Sequence, residues 1–194
     1  MRRAKSARPS GLGWRLCPRR LDVELAAAGV TLTVVHGSLG AINRFVLAST
    51  STAVKAADLE RCETDGIVAG HCGLPFTEMI AGRLWHNPGA VGLPANDGTP
   101  RVWFSVVTPN AGHLDIAHLA LRYDHQAAAA KMRAAGLPAG YADALATGLW
   151  PTCDVLPPTE AEARGTPLHE ATLRWTRDDA VSARPRPRAH RGRA

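Results

Sequence analysis

The stretch Asp65-Gly-Ile-Val-Ala-Gly-His-Cys-Gly-Leu-Pro-Phe76 constrains this chain more than any other. Four small or apolar residues, Gly66 to Ala69, stand between Asp65 and Gly70. A short apolar run with such borders reads as a strand covered on both faces. It runs into a tight turn that presents His71. The carboxyl end of a central strand is where α/β sheets place ligands and metals, and imidazole is a common metal ligand. A lone Gly-His is also compatible with an ordinary loop histidine, so the rest of the chain has to decide.

The same device occurs twice more. Val30-Thr-Leu-Thr-Val-Val-His36-Gly37-Ser38 is an alternating apolar strand followed by a histidine and a glycine. Arg83-Leu-Trp-His-Asn-Pro-Gly-Ala-Val-Gly92 is a strand that breaks into an Asn-Pro-Gly turn. Around these, Leu21–Leu25 alternates as a half-buried strand, and Ala28-Gly29 turns it into Val30–Val35 as a hairpin. Ser51 or Thr52 starts a helix over 53–62, with Ala56, Leu59 and Cys62 inward. Thr77–Ile80 and Leu84–His86 form a second hairpin. Val102–Val107 is a strand, and 114–123 continues the sheet with Ala117, Leu119, Leu121 and Tyr123 on one face. Asp124 caps a helix ending at Gly136. A further helix runs from Pro138 to Gly148 with Tyr141, Ala144 and Leu145 inward. The stretch 151–167 is loop with one short helix, and fraying is expected beyond Trp175.

The order HGS, then GHxxLPF, then LWHNPGxVG resembles the C-terminal half of the calcineurin-like metallophosphoesterases, most closely their small bacterial phosphodiesterase and phosphatase branch. The resemblance covers about Leu21 to Thr108. It implies an α/β fold, the C-terminal half of an αββα sandwich, and hydrolysis of a phosphate mono- or diester. It also implies two metal ions about 3.5–4 Å apart that activate a shared water. His36 matches the family's late HGS histidine and His71 the first histidine of its GHxH motif. Both would then bind the same divalent ion, and neutral imidazoles suit manganese, iron or zinc. The two ring nitrogens are therefore expected close enough to share one metal.

Two departures from the family follow. Gly73 stands where GHxH has its second histidine, so the other metal site loses a ligand. Cys72 is a candidate soft substitute there, with His86 and Asn87 as further candidates for a secondary site. His86 is also read as a packed strand-end histidine, and Asn87 as the cap of its turn. The family's DxH, GDxxDR and GNH motifs are missing from the 35 residues before His36. The expectation is a truncated domain of low or no activity, with an apolar sheet face and an edge that a second copy or a partner would cover. His113, His118 and His125 show no ligand spacing and are expected at the surface. Asp97 and Arg101 fall in a turn sequence.

Charge and cysteines narrow the remaining classes. The formal net charge is +6, but residues 1–20 hold seven basic residues and 183–194 hold five, with no acid in either. The segment 21–182 keeps 11 basic and 17 acidic residues, a balance of −6. The organisation expected is a disordered leader over 1–20, a partial metallophosphoesterase domain over 21–175 and a disordered Arg/Pro-rich tail over 176–194. Nucleic-acid binding through the tails is disfavoured, because neither interleaves aromatics and Arg-Pro-Arg-Pro-Arg fits no groove-reading helix. The four cysteines form no CxxC pair, which points to a reducing cytoplasm. No secretory signal and no apolar run of membrane-spanning length is seen. Three readings stay open: an ester hydrolase, a non-catalytic remnant with weak metal binding, and a nucleic-acid-binding module.

Overall fold

The computed structural model describes residues 18–177. The two basic tails expected at the termini fall almost wholly outside the described residues. Among the described residues, eight strands form two sheets. The first holds β1 (Arg20–Leu25), β2 (Val30–Val35), β3 (Gly66–Ala69), β4 (Phe76–Ile80) and β5 (Arg83–Asn87), in the order β1-β2-β3-β5-β4. The second is antiparallel, β6 (Val102–Asn110), β7 (His113–Leu121) and β8 (Ala171–Thr176). Four helices complete the described chain: α1 (Thr52–Arg61), α2 (His125–Ala134), α3 (Ala139–Thr147) and α4 (Pro158–Glu162).

The central strands β2, β3 and β5 run parallel, with Val35 level with Ala69 and Val68 level with His86. Parallel strands in the interior need apolar residues on both faces, and the first sheet has them. On one face Val35, Ile67, Ala69 and Trp85 pack with Leu59 and Cys62 at the α1 side. On the other, Val30, Leu32 and Leu84 meet Leu114, Ile116 and Trp175 of the second sheet. The order of layers is α1, first sheet, second sheet, the α/β architecture expected. Gly66 is needed at the centre, because a Cβ there would lie 2.7 Å from the Cβ and carbonyl oxygen of Leu84.

Several local expectations need correction. The stretch after Val102–Asn110 does not extend the first sheet but builds the second. Ala117, Leu119 and Leu121 do share a face of β7, yet it is the outer one, and Leu121 is 43% exposed. The core takes Leu114, Ile116 and His118 instead. His118 is therefore buried, not a surface group. Tyr141 points outward, and Ala142 takes the inward place beside Ala144 and Leu145. Strand β8 was not expected at all: Trp175 anchors it, 1% exposed, with its indole N–H on the Gly82 carbonyl at 3.2 Å. In α1 the inward face includes Lys55 and Asp58. Lys55 is buried and ion-paired to Glu78.

Candidate functional site

Parallel pairing of β2 and β3 brings their carboxyl ends to one edge, and both ends carry histidine. The ladder continues one step past the strands, where the Gly70 N–H donates to the His36 carbonyl at 2.7 Å. This contact sets the two turns level. His36 Nε2 and His71 Nδ1 stand 2.9 Å apart, with ring centroids at 4.8 Å and planes inclined by 62°. His36 is exposed and His71 half-buried.

Each histidine is held by a backbone arrangement that its neighbours dictate. His71 has φ +67°, in the left-handed region, and the Cys72 N–H closes back on the Gly70 carbonyl at 2.8 Å. A three-residue turn with positive φ at its centre is rare and strained. Strained residues of this kind cluster at sites where geometry serves function. After His36, Gly37 lets the next loop fold back tightly. A Cβ at Gly37 would lie 2.7 Å from the Ile42 carbonyl oxygen and 2.8 Å from that of Arg44. That loop delivers Phe45, whose ring lies 4.5 Å from the His71 ring and tilts against it. Phe45 is a site neighbour that sequence reasoning missed. Its only signal was that it is the single aromatic residue of the loop over 37–51.

Asn87 supports the histidine turn from below. It is fully buried, and its amide donates to the Gly70 carbonyl at 3.1 Å and to Cys72 Sγ at 3.0 Å. Its oxygen accepts from the Gly89 N–H at 2.9 Å, which caps the Asn-Pro-Gly turn. The Cys72 thiol lies in an apolar cluster with Leu47, Trp150 and Leu156. Burial there holds it above the ordinary thiol value. Gly73 follows with φ +72°, against Trp150.

His86 lies elsewhere. Residues alternate across β5, so Trp85 and Asn87 take the α1 face while His86 takes the face toward the second sheet. There it meets Thr77 and His118. Thr77 Oγ1 is 2.8 Å from His86 Nδ1 and 2.8 Å from His118 Nε2, and Ser105 Oγ is 3.2 Å from His118 Nδ1. Of the named candidates, then, His36 and His71 come together, Asn87 and Cys72 lie under them, and His86 belongs to a separate interior group. Asp97 and Arg101 are engaged with their own loop: Asp97 accepts from Thr99 and Arg101, and Arg101 donates to the Leu168 carbonyl.

The donor chemistry of the pair suits a divalent ion, because two imidazole nitrogens face one another at an accessible edge. The number of donors falls short. Among the described residues no group of three or more His, Cys, Asp or Glu side chains could hold a metal ion. A catalytic zinc site usually has three protein ligands.

No family model matches the chain, and no curated protein does. Solved structures do. A metallophosphoesterase from Sphaerobacter thermophilus superposes with a TM-score of 0.58 at 24% identity, covering 74% of this chain and 63% of that one. The hypothetical protein PH1004 from Pyrococcus horikoshii OT3 gives a TM-score of 0.59 at 17% identity, covering 72% of this chain and 54% of that one. The chain has the calcineurin-like metallophosphoesterase fold, and it spans less than two thirds of either of these structures.

Proposed function

We propose that this chain carries part of a metal-dependent phosphoesterase site, in which His36 and His71 are two ligands of one divalent ion. Manganese, iron and zinc are the ions that imidazole donors suit. The observation that carries the reading is the 2.9 Å approach of His36 Nε2 and His71 Nδ1 from neighbouring strand ends. The substrate class is a phosphate mono- or diester. A bound ion in such a site neutralises phosphoryl oxygens and lowers the pKa of its water. The part of this chain is to hold two imidazoles at fixed separation, with Asn87 and the His71 turn as their support. No bridging carboxylate stands with the pair among the described residues, so catalysis by this chain alone is expected to be low or nil.

The shortage of donors also favours a second reading, a non-catalytic domain that keeps only weak metal binding. Cys72 adds nothing to either reading as a ligand, since its thiol is 1% exposed at the residue level and hydrogen-bonded to Asn87. Gly73 at φ +72° is a poor position for a histidine. A reducing cytoplasmic setting fits the free thiols of Cys62, Cys72 and Cys153. No helix among the described residues is long and apolar enough to cross a membrane.

Hydrolysis of a chromogenic phosphodiester with added manganese tests the reading. Little or no turnover is expected from the chain, and Gly73→His is expected to add none. Turnover that is robust, metal-dependent and lost in both His36→Ala and His71→Ala would overturn the statement that the site stops short of catalysis.

A further inference from the structure

One cleft is lined by Val35 and by the loop that follows His36, and it differs from the histidine pair in chemistry. Its volume is about 330 Å³, and Arg19, Arg20 and Arg61 line it together with Val35 and the loop from Ser38 to Ile42. The three guanidinium groups come from different places. Arg19 immediately precedes β1, and Arg20 opens it, level with Val35 in the last pair of the β1–β2 ladder. Val35 immediately precedes His36. Arg61 comes from the last turn of α1.

The loop wall is a defined piece of structure. The Ser38 N–H donates to the Ala41 carbonyl at 3.1 Å, and the Ala41 N–H donates to Ser38 Oγ at 3.1 Å. The Leu39 N–H donates to Asp58 Oδ2 at 3.3 Å. The same loop needs the glycine at 37 to fold back, directly after His36. The loop that folds back directly after His36 therefore also forms a wall of the cleft.

The charges of the cleft are unequal. Arg20 is held in a two-pronged pair with Asp22, at 2.9 and 3.0 Å, and Glu63 acts on it from further off. Arg61 has only a loose partner, Asp58 Oδ1 at 3.9 Å. Among the described residues no carboxylate is within ion-pair distance of Arg19. No acidic side chain lines the cleft itself. Arg19 and Arg61 are thus left to meet an anion, and a planar guanidinium fork matches the geometry of phosphate.

We propose that this cleft is a second phosphate subsite, so that the ester presented to His36 and His71 carries a further phosphate group beside the one at the pair. The substrate class this selects is a phosphodiester with a neighbouring phosphate, as in a terminally phosphorylated dinucleotide, over a simple monoester. The link to the pair rests on the reading proposed above; the cleft's affinity for phosphate does not.

The test compares a dinucleotide with and without a 5′-terminal phosphate, titrated into the full chain in buffer containing Mn²⁺. The terminal phosphate is expected to tighten binding about tenfold, the scale of one charge-assisted hydrogen bond. The double variant Arg19→Gln/Arg61→Gln, at two exposed positions, is expected to lose that gain while keeping its melting temperature and its Mn²⁺ affinity. A gain that survives in the double variant would overturn the subsite, because it would then come from the terminal basic segments or another surface. Failure of the metal reading shows separately, as Mn²⁺ binding that His36→Ala leaves unchanged. A glutamine-sensitive gain together with that result would keep the cleft as a phosphate site and overturn its link to the pair.

Discussion

Two histidine pairs in this protein have nearly the same ring separation and opposite surroundings. His36 and His71 lie with centroids 4.8 Å apart at an open edge of the first sheet. His86 and His118 lie 4.9 Å apart between the two sheets, with 1% and 7% exposure. The outer pair has each other, Phe45 and open space. In the inner pair, hydroxyl groups occupy most of the ring nitrogens. One Thr77 proton cannot serve two rings, so one ring must donate to Thr77 and the other must accept from it. The assignment that strands no donor runs from His86 Nδ1–H to Thr77, from Thr77 to His118 Nε2, and from His118 Nδ1–H to Ser105. It leaves His86 Nε2 as a buried lone pair without a partner. Distance between imidazoles therefore does not separate a ligand pair from a packing pair. Access and the partners of each nitrogen do.

The largest consequence concerns acid. Burial, and then the nearness of His118, push His86 down from 6.5 to about 3. Burial also lowers His118. The unfolded chain takes up its proton near 6.5, and the folded chain does so only near 3. Between those values the unfolded state binds more protons, so stability falls as pH drops through this window and is fully present above it. One such group gives a slope of about 1.4 kcal/mol per pH unit. Urea unfolding at pH 7, 6 and 5, before most carboxylates titrate, should show the midpoint moving down. A midpoint that stays constant across that range would mean that the inner pair is not held neutral by the fold.

A smaller effect is expected from Thr77→Val. The change keeps the shape and strands both rings, at about 1–3 kcal/mol for each buried group left unpaired. The unfolding free energy should fall by about 2 kcal/mol or more, whereas His36→Ala should stay within about 0.5 kcal/mol of the parent. Equal losses in the two variants would erase the distinction between the pairs.

The smallest stability effect separates geometry from stability within the outer pair. His71→Gly relieves the positive φ at a cost of about 1 kcal/mol or less in unfolded-chain entropy. Its melting temperature should match or slightly exceed the parent's, while its metal binding disappears. A marked loss of stability would mean that the His71 ring is a structural anchor and not a strained ligand.

Much of this was legible in the sequence because it is local. Val30–Val35 alternates and Gly66–Ala69 is small and apolar, both read as strands, and a histidine follows each within two residues. Parallel pairing then places those histidines together. Asp124 at the start of α2 was legible for the same reason: its carboxylate accepts from the Ala127 N–H at 2.9 Å, a contact between near neighbours. What failed was set by partners distant in sequence. His118 reads as polar in an alternating strand, and its burial is made tolerable by Thr77, 41 residues away, together with Ser105. Lys55 is not among the residues read as inward on α1, and its pairing with Glu78 draws it inward. Alternation puts Ala117, Leu119 and Leu121 on one face of β7 but does not say which face is inward; the packing of Trp175 on β8 selects Leu114 and Ile116. The cleft at Arg19 and Arg61 joins the residue before β1 to the last turn of α1, which no spacing rule connects.

The central claim is that the outer pair is a ligand pair, and calorimetric titration of the full chain with Zn²⁺ or Mn²⁺ tests it most directly. Two neutral donors predict weak, saturable binding of one ion, abolished in His36→Ala and in His71→Ala and unchanged in His118→Asn. Binding that survives in both outer variants, or no binding by the parent chain at all, would contradict the account.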